Sequence, residues 1–135
     1  MSIKKIRDAL EGQLATLVGT VPVAWENKQF SPKIGTAYLR VNLLPAQTQN
    51  PSFGGVHNRE TGILQVMVTF PSGNGSAAAA AWVETIRDGF ARGSSFTSSG
   101  VTVRILRQPS VGAALQTGDW FAIPVSITYQ ADILA

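Results

Sequence analysis

The residues of this chain best suited to chemistry are few and widely spaced. Its single histidine, His57, stands in VHNRE with Asn58, Arg59 and Glu60 beside it. One imidazole and one carboxylate at that spacing fall short of a metal set, which needs three or four donors held in a fixed geometry. No GxSxG elbow presents a nucleophilic serine to that imidazole. PSGNGSAAAA puts glycines just before a helix N-terminus, where phosphates bind well. It lacks both the P-loop lysine and the third glycine of a dinucleotide fingerprint, and a turn plus a helix cap explains it. Asp8 and Glu11 fall on one predicted helix and Glu84 and Asp88 on another, where solvated faces want them, not paired in a shared pocket for acid–base work. We therefore assign no catalytic, cofactor-binding or metal-binding residue and expect no cofactor and no enzyme. The absence of cysteine excludes a disulfide framework and thiolate metal sites.

Composition points the same way. Of 135 residues, 44% are hydrophobic and 14% charged, too apolar for a disordered chain and unusually neutral for the surface of so small a domain. Such a surface suits a protein covered in part by copies of itself or by partners. The net charge of +3 is mild, and the lysines and arginines are scattered with no run to track a nucleic-acid backbone. Only the pI near 9.7 speaks for a nucleic-acid-binding module, and that remains an alternative. MSIKKIRDALEGQ lacks the apolar stretch of a signal peptide, and no segment approaches a membrane span, so the expectation is a soluble protein used inside a cell.

The elements that must carry the surface can be read from periodicity. Ile3, Ile6, Leu10, Leu14 and Leu17 recur at helical steps after a Ser2 cap, with Gly19 and Pro22 as stops. Val21–Trp25 reads as an edge strand. Leu39, Val41 and Leu43 alternate with Tyr38, Arg40 and Asn42 across Thr36–Leu44, and Leu64, Val66, Val68 and Phe70 alternate across Gly62–Phe70. A second helix, AAAAAWVETIRDGF, should turn Trp82, Ile86 and Phe90 to the core. RGSSFTSSG reads as loop, Val101–Ile105 as strand, and Arg107–Gly118 as irregular. Asp119–Ala131 is a last strand, with Pro124 requiring an edge or a bulge. Trp25 and Trp120 are expected to be half exposed. The result is one α+β domain over 1–135: an antiparallel or mixed sheet with two helices packed on one face and a long β-hairpin arm.

That arm is PAQTQNPSFGGVHNRET, residues 45–61, far longer than the ~4–6 residues of an ordinary connection. We expect it to order against a neighbour, with Phe53 as apolar anchor and His57, Asn58, Arg59 and Glu60 as polar contacts. Arg40 and Arg104 should lie on the helix-free face of the sheet, toward a lumen or a neighbouring copy.

Several stretches then carry a resemblance: AWENKQFSPKIGTAYLRVNLLPAQTQNPSFGG, GILQVMVTFPSGNGSAAAAAWVETIRDGFARG, GVTVRI and DWFAIPVSITYQAD. In order and spacing the chain resembles the tail terminator (tail-completion) proteins of long-tailed, non-contractile phages and related prophage proteins, from about Val21 to Asp132. The resemblance implies a structural subunit that assembles with itself into a ring, typically a hexamer, on the end of the tail tube. It implies the tail-tube protein and a head-completion or connector protein as partners, no membrane and no specific nucleic acid. It also implies assembly in the host cytoplasm and residence in the virion tail. A tail-tube or head–tail joining subunit is the alternative within the same class.

Overall fold

A computed structural model describes residues 2–19, 21–26, 30–31, 36–46, 57–71 and 77–134. In chain order the elements are α1 (Ser2–Val18), β1 (Val23–Ala24), β2 (Tyr38–Pro45), β3 (His57–Pro71), α2 (Ala77–Gly89), β4 (Ser95–Ser98), β5 (Val101–Ile105), β6 (Ser110–Val111), β7 (Leu115–Thr117) and β8 (Trp120–Leu134). The sheet runs β1-β2-β3-β8-β5-β4, with β6 and β7 pairing to β8. β1 is parallel to β2 and the other pairs are antiparallel, so the sheet is mixed and the fold is α+β.

Alternation decides which face is covered. Leu39, Val41 and Leu43 on β2, Leu64, Val66 and Val68 on β3, and Val125, Ile127 and Tyr129 on β8 are all buried on one side, where both helices lie. α1 contributes Ile6, Leu10 and Leu14, each fully buried, which places its stripe on that sheet as the three- and four-residue steps require. Each such side chain stabilises the fold by roughly 1.5–3 kcal/mol. Gly19, at φ 58°, ends α1 in the left-handed conformation that favours glycine.

The structure departs from the sequence expectations in five places. First, β3 begins at His57, not Gly62, so the C-terminal part of the expected arm is strand. Its register with β8 runs unbroken from His57↔Leu134 to Pro71↔Trp120. Second, Ser95–Ser98, expected as loop, forms β4 and pairs with β5 through a two-residue turn. Ser99 (φ 50°) and Gly100 (φ 83°) both take the left-handed backbone that such a turn demands. Third, the expected irregular stretch contains β6 and β7, which ride on β8.

Fourth, Pro124 lies in the central strand β8, opposite Met67, with no bulge in that ladder. It is tolerated because its own carbonyl accepts from Gly112 N–H (2.9 Å), so its missing donor faces the β6–β7 side, where pairing lapses between Val125 and Ala122. Gly112 lies so close there that a Cβ would meet the Pro124 ring at 2.8 Å. Fifth, Trp82 is only half buried. The stripe of α2 that seals the core is Ala79, Val83, Ile86 and, just beyond the helix, Phe90. The turn and helix cap expected from PSGNGS lie, beyond Pro71, outside the described residues.

Candidate assembly surfaces

The helix-free face of the sheet is a broad surface of mixed character. By register, Arg40–Met67–Pro124, Asn42–Gln65–Ser126 and Leu44–Ile63–Thr128 form successive rows across β2, β3 and β8. Leu44 is 48% exposed, an apolar side chain that the folded subunit leaves uncovered. Arg40 and Arg104 are both exposed on this face, as alternation requires. They form no cluster. Arg40 is in the row of Met67 and Arg104 in the row of Thr61, roughly 20 Å apart along the strands at ~3.4 Å per residue.

Arg40 stands over the Tyr38 ring at 5.8 Å, and Tyr38 in turn packs against Phe30 (5.0 Å) and edge-on against Trp120 (5.3 Å). Trp120 and Trp25 are half buried. Beside this aromatic group a pocket of about 260 Å³ is lined by Pro22, Phe30, Ser31, Thr36 and Tyr38.

At the other end of the sheet, β3 runs past β2, and its outer stretch forms a ribbon with β8, which β5 and β4 flank on the far side. β2 ends at Pro45, opposite Gly62, and just beyond it Ala46 N–H donates to the Thr61 carbonyl at 2.8 Å. The expected arm contacts Asn58, Arg59 and Glu60 stand half exposed on this ribbon. Arg59 donates to Asp132 on β8 at 2.9 Å, and Gln130 donates to the other oxygen of the same carboxylate at 3.4 Å. Asp132, a partner that sequence reasoning did not single out, thus anchors Arg59. Phe53 lies outside the described residues, as does the side chain of His57.

The ribbon passes the end of β2 at Gly62. A Cβ there would meet the Leu44 carbonyl oxygen and the Tyr129 hydroxyl, each at 2.6 Å. The Tyr129 phenol lies over the glycine, and its hydroxyl is buried without a hydrogen-bond partner among the described residues. Burial, with the Glu60 charge adding to it, pushes that phenol up to about 12.

Along the β1–β2 edge, among the described residues, a side chain takes over where β1 ends. β1 covers only Leu39 and Arg40, and beyond it Glu26 Oε1 accepts from the Leu43 backbone N–H at 3.0 Å. The same oxygen accepts from Arg7 of α1 at 2.8 Å. The Leu43 N–H first, and then Arg7, hold the Glu26 carboxyl below the usual range. The Arg7 guanidinium is raised in turn, chiefly by Glu26. The first helix is thereby tied to the sheet edge through one carboxylate. No group of three His, Cys, Asp or Glu able to hold a metal occurs among the described residues.

These features leave one sheet face exposed, with Leu44 among its apolar side chains. Comparison with known families identifies the subunit: residues 5–129 match the family model described as phage tail terminator protein, and the chain belongs to that family. It is a structural protein of the phage tail. A solved structure of 30% sequence identity superposes with a TM-score of 0.81, over 97% of this chain and 96% of that one. A chain from the virion of a native gene transfer agent particle shares the fold at TM-score 0.61 and 19% identity, over 98% and 97% of the two chains. No curated protein matches.

Proposed function

We propose that this protein terminates a phage tail: copies of it assemble into a ring, typically a hexamer, that caps the tail tube, stops its polymerisation and offers the head connector a docking surface. The observation that carries the reading is the family match across nearly the whole chain. The uncovered sheet face supports it, because an exposed apolar row through Leu44 and Ile63 suits burial against another protein. The subunit acts by shape, in the virion tail after assembly in the host cytoplasm.

The segment that joins Ala46 to His57 is the arm of this reading. Phe53 is its apolar anchor on the tube, the connector or an adjacent copy, while His57, Asn58, Arg59 and Glu60 supply polar contacts at its root. Arg40 and Arg104 face the lumen or a neighbour as separate charges. Deleting Phe53-Gly54-Gly55 should leave a folded subunit that assembles poorly, and unimpaired assembly by the deletion variant would remove the arm's role.

The deciding experiment adds the protein to polymerising tail-tube subunits and images the products by electron microscopy. Shorter tubes with one capped end are expected. An unchanged length distribution with bare ends would refute termination, and long stacks of the protein itself would make it a tube subunit.

A further inference from the structure

The backbone of β4 bonds on one side only. β4 is the outermost strand beyond β5, and among the described residues no strand pairs with its other side. Ser98 and Val101 flank the two-residue turn and exchange bonds across it, and Phe96 and Val103 exchange the next pair. The N–H and C=O groups of Ser95 and Thr97 therefore point away from the sheet. Ser95–Ser98 carries no charge and no proline, the usual protections against pairing with another chain.

The helix beside this edge has an uncovered flank on the same side. α1 packs over β4 and β5 together. Lys4, Asp8, Gly12 and Thr16 follow at four-residue steps and so share one flank of it, with Lys4 holding Asp8 at 2.9 Å. Between that flank and β4 runs a groove of about 310 Å³, lined by Asp8, Gly12, Gln13, Thr16, Phe96 and Ser98. Glycine weakens a helix interior, and packing inside the subunit does not call for one at Gly12. Among the described residues, nothing beyond the helix itself lies within 4 Å of where its Cβ would stand. The helix also leaves its dipole uncompensated: Lys4 and Lys5 stand in its first turn with no acid, and its last turn has no base.

We propose that two copies pair through this edge, β4 antiparallel to β4 about a two-fold axis at Phe96. Ser95 of each copy then exchanges bonds with Thr97 of the other, which satisfies the outward groups of both residues. Phe96, edge-on to Phe90 at 5.5 Å within its own subunit, faces the other copy's Phe96 as a non-hydrogen-bonded pair, the closest kind. Because α1 rides over β4 and β5, the same axis sets the two first helices side by side, antiparallel and about 10 Å apart, an ordinary packing distance. Gly12 and Phe96 border one groove, so the helices meet around Gly12, where a larger side chain would hold them apart. Asp8 falls beside Thr16 of the other copy. Lys4 and Lys5 fall beside its last turn, the negative end of the dipole. A two-fold contact closes on itself, unlike the head-to-tail contacts of a ring, and covers the bare edge of the free protein. The inference does not rest on the terminator reading.

The chain has no cysteine, so a single one can probe the axis. Helices about 10 Å apart bring the two Gly12 Cα atoms to roughly 5–6 Å, within disulfide reach. Full-length Gly12→Cys protein, oxidised in solution, should link into dimers about tenfold or more faster than Ala78→Cys, a control exposed on α2. Wild-type protein should sediment as a monomer–dimer equilibrium. Gly12→Leu has room within the subunit, so it should melt no lower than the wild type while weakening the dimer about tenfold or more. Thr97→Pro, which removes an outward N–H, should weaken the dimer likewise with an unchanged circular dichroism spectrum. Linkage of Gly12→Cys no faster than that of Ala78→Cys would overturn the proposal. So would a wild type that stays monomeric at its highest soluble concentration, or a Gly12→Leu protein that dimerises as well as the wild type.

Discussion

Replacing Gly62 with alanine tests how the ribbon that carries Asn58 and Arg59 is set. The new Cβ would stand 2.6 Å from the Leu44 carbonyl oxygen, 2.6 Å from the Tyr129 hydroxyl and 2.8 Å from Tyr129 Cζ, where ordinary contact begins near 3.4 Å. One neighbour is backbone of the paired strand β2 and the other is a ring with no exposed surface, so neither can step aside freely. Overpacking of this kind costs about 1–3 kcal/mol, and the two simultaneous clashes place Gly62→Ala toward the upper end. Alanine's lower chain entropy returns about 0.5–1 kcal/mol, leaving a net loss near 2 kcal/mol. For a domain of this size that lowers Tm by roughly 6–10 °C. Tyr129→Phe alone should be close to neutral, since it removes a buried hydroxyl without a partner among the described residues. Combined with Gly62→Ala, it should recover about 1 kcal/mol, because one of the clashes is with that hydroxyl. Urea unfolding of the four proteins measures the cycle. A Gly62→Ala protein as stable as the wild type, or strictly additive effects, would refute the argument that the phenol occupies the glycine's missing side chain.

Three further outcomes follow from the same structure. Glu26 is held below its usual value, so the stability it contributes is present above about pH 4.5 and is lost as pH falls through its lowered folded value. Thermal melts from neutral pH to about pH 3 should therefore fall less steeply for Glu26→Gln than for the wild type, and parallel curves would contradict the tie between Leu43 and Arg7. Gly89→Ala should destabilise by no more than about 1–2 kcal/mol: its Cβ would fall within the Leu17 side chain where the two helices meet, a cost of about 1–3 kcal/mol that alanine's better helix propensity offsets by up to about 1 kcal/mol. Urea midpoints report it. Arg59→Ala should change stability by less than about 1 kcal/mol, as the Arg59–Asp132 pair is about a third exposed on each side. A larger loss in Tm would show that the ribbon needs this pair to stay folded.

What the sequence revealed, and what it concealed, follows one physical rule. Elements with one face in the core announced themselves: Ile6, Leu10 and Leu14 by helical spacing, Val101, Val103 and Ile105 by alternation. The same alternation put Arg40 and Arg104 on the helix-free face. Trp82 misled because it stands at the flank of the stripe, partly buried against the core, while the line that runs through the fully buried Ile86 and Phe90 steps through Ala79 and Val83. β4, β6, β7 and the outer half of β3 left almost no pattern. Their residues, SFTS, SV, LQT and HNRET, are largely polar or exposed, and their pairing comes from a neighbouring strand, not from burial of a face. The one local signal missed was Ser99-Gly100, a turn dipeptide directly before an alternating strand.

That pattern bears on function. A strand legible in the sequence is one whose side chains are used inside the subunit, as the fully buried Val66 and Ile127 are. β4 is illegible for the converse reason: its backbone is ordered by pairing with β5, while the N–H and C=O groups of Ser95 and Thr97 face away from that strand. In a lone domain such an edge is a liability, and proteins normally blunt it with charge, proline or a bulge. SFTS carries none of these, although the opposite edge of the same sheet is stopped at Leu43 by the Glu26 carboxylate. A chain that sets a charge tied to its first helix at one outer strand, and carries no such device on SFTS, treats the two sides of its sheet differently.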